Sequence, residues 1–129
     1  MTDGEAQKAT SFVKEGALDL SRLREMVGDD DDLIQDLLRS FLESSLLNLE
    51  ALATAITSGD APAARMAAHS LKGAAGNFGA ETLRCAAAEL EHRAQDGSLE
   101  GAGEMLAKIR QAFAAVEIGV RNCLPCGAN

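Results

Sequence analysis

The chain has 129 residues, a formal net charge of −8, 3% aromatic residues and neither tryptophan nor tyrosine. That length suits one domain with one core, and the acidic balance, with no basic stripe and few aromatics to stack bases, excludes nucleic-acid binding. No apolar run approaches the roughly 20 residues that span a bilayer, Met1–Lys14 lacks the apolar middle of a secretory signal, and three cysteines make no even disulfide framework, so a cytoplasmic protein with no membrane role is expected.

Residues 1–14 are polar and poorly periodic and read as a flexible N-terminal tail. Leu18 to Val27 fits a short helix with Leu20, Leu23 and Val27 inward and Gly28 ending it. The run Asp29–Asp32 has the look of a receiver's acidic cluster, but such a cluster follows a strand, and nothing here alternates with period two. Its carboxylates read instead as the start of a helix, capping free N–H groups and complementing the dipole. From Leu33 to about Ile56 a long amphipathic helix buries Ile34, Leu37, Leu38, Phe41, Leu49, Leu52 and Ile56. Ser58-Gly59-Asp60 ends it, and Pro62 fits the first turn of the next helix, which runs to about Asn77.

Gly79 breaks that helix. A further one from about Ala80 to Gln95 turns Leu83, Ala86, Ala87, Leu90 and Ala94 inward, and Asp96-Gly97 makes a turn. A last helix from about Leu99 to Val120 carries Leu106, Ile109, Phe113 and Val116. Short connections make successive helices antiparallel. The expected fold is all-α: an antiparallel up-and-down four-helix bundle with a short additional N-terminal helix. The bundle should occupy residues 15–120, with 121–129 a C-terminal tail.

The chemistry concentrates at His69. Ala64, Ala67, Ala68, Leu71, Ala75 and Phe78 form the inward stripe of its helix, which puts His69 about 160° away from the stripe's centre and toward water. Lys72 follows one turn later, and Gly73 and Gly76 lie on the same outward side. A glycine inside a helix costs about 1 kcal/mol relative to alanine, so two of them argue that a partner must approach the imidazole closely. An imidazole, which ordinarily titrates near about 6.5, is partly neutral and nucleophilic at cytosolic pH. Lys72 could meet an anion carried on the ring, and with Arg65 it makes a small positive spot on an acidic molecule.

The segment His69-Ser70-Leu71-Lys72-Gly73-Ala74-Ala75-Gly76-Asn77-Phe78-Gly79-Ala80 resembles the signature of histidine-containing phosphotransfer (HPt) domains of two-component phosphorelays. Asp30–Ile34 leading into Phe41-Leu42-Glu43, Gly59-Asp60, and Leu90-Glu91 resemble the flanking helices of that family, and the likeness covers about residues 17–118. The resemblance implies a free-standing, monomeric phosphorelay intermediate. His69 would accept a phosphoryl group from an aspartate of one receiver domain, in a response regulator or hybrid kinase, and pass it to another. Lys72 would be the charge partner of the phosphoryl oxygens, with Gly73 and Gly76 making room. Glu91, on the flank where its helix meets the histidine helix, could orient the ring or be an ordinary half-exposed glutamate. Asn77 could cap carbonyls or touch the partner, and Leu42 or Leu46 could help docking. No cofactor of its own is implied; Mg²⁺ would come with the receiver.

Elsewhere the chemistry is thin. No glycine loop for ATP and no receiver-type lysine and aspartate set appears, so the chain reads as a carrier and not an enzyme. His92 reads as a solvated side chain and Cys85 as a packing or flank thiol. Cys123-Leu124-Pro125-Cys126 has neither the βαβ setting of a redox pair nor the further ligands of a zinc site, and no metal site is expected. Two other readings stand beside the first. One is a histidine-kinase dimerisation and phosphoacceptor module, which Ser70 after His69 and the missing helix-kinking proline disfavour. The other is a helical adaptor that is never phosphorylated.

Overall fold

Asp19 accepts hydrogen bonds from the Ser21 backbone N–H (3.0 Å) and hydroxyl (2.6 Å). This ties down the first turn of a short helix, α1 (Ser21–Val27), which Gly28 closes by donating its N–H to the Arg24 carbonyl (2.8 Å). The computed structural model describes residues 18–123, so the expected tail at 1–14 and the stretch 124–129 lie outside the described residues.

The next element, α2 (Asp31–Ser58), begins two residues earlier than the apolar pattern suggests. Asp30 is its N-cap, its carboxylate accepting from the Leu33 N–H at 3.1 Å. Asp29 and Asp31 reach back to Arg24 (3.7 and 3.3 Å). The acidic run is therefore structural, as its sequence setting suggests. After Gly59, Asp60 caps α3 (Ala61–Asn77) through the Ala63 N–H at 3.1 Å, with Pro62 in the first turn. Two more helices follow, α4 (Glu81–Gln95) and α5 (Ala102–Cys123). The α5 helix starts later than Leu99 because Gly97 and Gly101, both at positive φ, shape the approach to it. It ends beyond Val120, taking in residues expected to form a tail.

Helix α3 packs most extensively on α4 and next on α2; α5 closes the ring against α4 and α2, and α1 lies on α2. This is the expected four-helix bundle with a short extra helix, and no strand occurs among the described residues. Its centre is filled by Leu38, Leu52, Leu71, Leu83, Leu90, Ile109 and Val116, each essentially without exposure. Burying one such side chain contributes about 1.5–3 kcal/mol. Alanines 64, 67, 68 and 75 on α3 and Ala87 and Ala94 on α4, the two helices that pack most extensively, are all buried. Phe41 and Phe78 stack with ring centroids 4.3 Å apart, pinning the end of α3 to α2.

The buried stripe is narrower than the periodicity implies. Leu37, Ile56, Ala86 and Leu106 are half-buried at its edges. Ser45, which hydropathy alone leaves out, is fully buried with no hydrogen-bond partner for its hydroxyl.

Candidate functional site

His69 and Lys72 stand on the middle turns of α3, and Glu91 faces them from α4. Burial of the alanine and leucine stripe of α3 leaves the imidazole 65% exposed. The three side chains form one network. Nδ1 of His69 lies 2.8 Å from Oε2 of Glu91, and Nζ of Lys72 lies 2.8 Å from its Oε1. The Glu91 side chain is only 15% exposed. Lys72 above all, and the His69 ring in addition, hold the Glu91 carboxyl below the usual carboxylate range, against burial, which pushes it up.

An ionised carboxylate can only accept, so the His69 nitrogen facing it carries the hydrogen. Nδ1–H donates to Glu91, and in the neutral ring Nε2 keeps its lone pair free for an electrophile. Of the two sequence alternatives for Glu91, the geometry places it on the ring.

A Cβ added to Gly73 would meet nothing within 4 Å, so the surface beside the histidine is open. Gly76 differs from its expected place: it is half-buried, and a Cβ there would stand 3.5 Å from Cδ of Arg84 on α4. It lies at the α3–α4 seam because α4 turns Arg84 over it, with the guanidinium held by Glu81. The positive spot also needs correcting. Arg65 is exposed one turn before His69, but Lys72 is paired with Glu91, so its charge is compensated within the site.

On the α2 side of the histidine, a shallow depression of about 460 Å³ is lined by Ser40, Glu43, Ser44, Leu47, Asn48 and Ser70. Leu47, which lines it, is 66% exposed, and Leu46 and Met66 (65%) are further exposed apolar side chains on α2 and α3. Leu46 is on the outside as expected, and Leu42 is half-buried. Asn77 and His92 are exposed. Cys85 is an exposed thiol beside Arg84 and Glu81, a flank residue and not a packing one. The side chains of the Cys123–Cys126 pair lie outside the described residues. Among the described residues no group of three or more His, Cys, Asp or Glu side chains could hold a metal ion.

Sequence reasoning took Gly79 only as a helix break and missed what lies on it. Its φ is +65°, and the backbone carbonyl oxygen of Asp19 lies 2.2 Å from where a Cβ would stand. The Asp19 N–H donates to the Phe78 carbonyl (3.1 Å), so the segment leading into α1 crosses directly over the end of the histidine helix. A glycine after a helix signals a stop, and nothing local signals that another strand of backbone lies on it.

The Hpt domain family profile matches residues 36–119. Among solved structures the chain is similar to histidine-containing phosphotransfer protein B (HptB) from Pseudomonas aeruginosa PAO1. The two share 35% identity and a TM-score of 0.75, over 81% of this chain and 90% of that one. No curated protein matches the sequence.

Proposed function

The chain belongs to the Hpt domain family of phosphorelay phosphotransfer carriers, which work with receiver domains, and from this we propose that His69 is its phosphoacceptor. Both matches favour phosphotransfer over a kinase dimerisation module. The observation that carries the assignment is an exposed imidazole whose Nδ1–H is held by Glu91 at 2.8 Å, with open surface at Gly73 one turn on. The test is to incubate the chain with a panel of phosphorylated receivers and map the modified residue by mass spectrometry.

In the reaction we envisage, the Nε2 lone pair attacks the phosphorus of a receiver's aspartyl phosphate in line. The P–O bond breaks, and the aspartate carboxylate leaves with the electron pair. The Nδ1 proton stays, so the ring becomes a phosphoimidazolium whose charge Glu91 compensates. Attack by a second receiver's carboxylate reverses these bond changes. Catalysis is mostly positioning and charge neutralisation. The receiver's acidic pocket would hold Mg²⁺, which would neutralise charge on the phosphoryl oxygens; no cofactor is assigned to this chain. Lys72 would turn from Glu91 toward the phosphoryl oxygens once the ring is loaded, and Arg65 would add to the local attraction. Leu46, Leu47 and Met66 would form the apolar part of the receiver contact. The protein we propose is a cytoplasmic monomer, with residues 15–120 as its working unit.

Gly73→Gln should stop transfer from the receiver by bulk alone. A small chemical phosphodonor should still load its His69, and a normal receiver rate would show the open surface to be incidental. Lys72→Ala should slow transfer on the order of tenfold, about 1.4 kcal/mol of barrier, without ending it. Glu91→Gln tests the network through pH. Because the folded-state carboxyl sits low, its contribution to stability is present above the pKa of an unfolded glutamate and is lost as pH falls through the folded value. Urea titrations should therefore show a gap between parent and Glu91→Gln at neutral pH that closes below about pH 4.

A further inference from the structure

Arg84 stands on the same side of the bundle as the histidine network without belonging to it. Its Cδ lies 3.5 Å from where a Cβ of Gly76 would stand, so its stem rests against α3. Glu91 meets His69 and Lys72 from the same helix. Arg84, Ala88 and Glu91 recur at four- and three-residue steps and so form one row of α4 along the α3 seam. On α3, His69, Gly73 and Gly76 recur at the same steps. Between the histidine network and Arg84 the seam therefore carries the small residues Gly73 and Ala88, and a Cβ on Gly73 would meet nothing within 4 Å.

Stability alone does not account for this placement. Arg84 donates to Glu81 through Nε (3.1 Å) and through Nη2, while Nη1 makes no hydrogen bond among the described residues. The two side chains are 39% and 59% exposed, and an exposed pair three residues apart adds little to a helix. Glu81, in the first turn of α4, already complements that helix's dipole without a partner. At Gly76 a side chain longer than a methyl would compete with the arginine stem for the seam, and keeping glycine there weakens α3. What the arrangement achieves is a cation fixed in place, with donors to spare, beside open surface.

Distance limits what that cation can do. Gly76 lies roughly 10.5 Å beyond His69 along α3 and within about 20° of it around the axis. Glu81 holds the guanidinium toward the start of α4, farther from His69 than Glu91 is, so it does not touch a phosphoryl group carried on the ring. A docked protein does reach it. Even a small transient interface of about 500 Å² per partner extends roughly 13 Å from its centre. A receiver seated on His69 therefore covers Arg84.

We propose that Arg84 is a docking contact that reads charge on the receiver, pairing with an acidic side chain roughly 10 Å from the receiver's phosphorylated aspartate. This rests on the phosphotransfer reading and adds to it a point at which receivers are told apart. A carboxylate at that place is attracted, and a basic residue there is repelled. Arg84 touches no reacting atom, so it acts on the formation and lifetime of the complex and not on the transfer step.

The experiment follows transfer from phosphorylated receivers to the chain over a range of receiver concentrations, in the parent, Arg84→Gln and Arg84→Lys. Loading of each chain by the small donor phosphoramidate is measured alongside. With at least one receiver of a panel, Arg84→Gln should raise the half-saturating concentration about tenfold at low salt, an effect that shrinks as salt is added. The saturating rate and phosphoramidate loading should stay at the parent's values. Arg84→Lys should return half-saturation to within about twofold of the parent, because the contact is one of charge. A half-saturating concentration that Arg84→Gln moves with no receiver would overturn the proposal, as would a lysine variant as weak as the glutamine one. Equal falls in the saturating rate and in phosphoramidate loading would place Arg84 in the build of the His69 site and overturn it too. A parent that takes no phosphoryl group from any receiver would sink the phosphotransfer reading and this contact with it, whereas a parent that loads normally beside an unaffected Arg84→Gln strikes this contact alone.

Discussion

A His69→Gln chain is expected to take up no phosphoryl group from any receiver that loads the parent, while keeping its helix content and its melting transition. The amide nitrogen of glutamine is not a nucleophile at neutral pH, so the loss should be complete and not graded. The fold should not notice, because the His69 side chain is 65% exposed and contributes nothing to the stripe that holds α3 in the bundle. The hydrogen bond removed is the one to Glu91, whose other oxygen stays with Lys72. Net contributions of such bonds at partly exposed sites are about 1 kcal/mol or less. Intact-mass spectrometry under neutral or alkaline conditions reads the result directly. Acid-labile phosphate appearing at its usual rate, on His92 for instance, would mean the nucleophile had been misassigned.

Gly79→Ala should produce the largest loss of stability among single changes near the site. Two costs coincide there. A φ of +65° is disfavoured for an L-residue by about 1–2 kcal/mol. The new Cβ would also lie 2.2 Å from the Asp19 carbonyl oxygen, which is backbone and cannot swing aside. The segment must therefore lift, breaking the Asp19-to-Phe78 hydrogen bond and loosening Leu18 from the core. A loss of roughly 2–4 kcal/mol in urea denaturation is expected. Gly73→Ala makes the matched contrast: it lies inside α3 with open space around it and should stabilise by about 1 kcal/mol. Effects of the same sign at both positions would refute the distinction between a helix glycine kept clear for a partner and one clamped under backbone.

The bundle itself is written into local periodicity. The apolar residues of α2 to α5 recur at helical spacing, and Gly28, Gly59, Asp60 and Pro62 mark element ends by their own backbone preferences. For the same reason the outward position of His69, opposite the alanine stripe, followed from counting residues along one helix. The boundaries shifted at Asp30 and Ala102, where capping and loop geometry, not hydropathy, decide the end.

What lies across helices was not legible in the same way. That Glu91 binds both His69 and Lys72 depends on the register of α4 against α3, which is a property of how the two helices pack. The same register covers Gly76 with Arg84 and compensates the charge of Lys72. Gly79 carries a contact from a residue sixty positions earlier in the chain, and Ser45 is buried although its side chain is polar. By itself the sequence determined which elements form and which face of each meets water, because those are properties of one helix at a time. Only the tertiary structure decided which side chains meet across the seams, because distances between helices arise from packing many side chains at once.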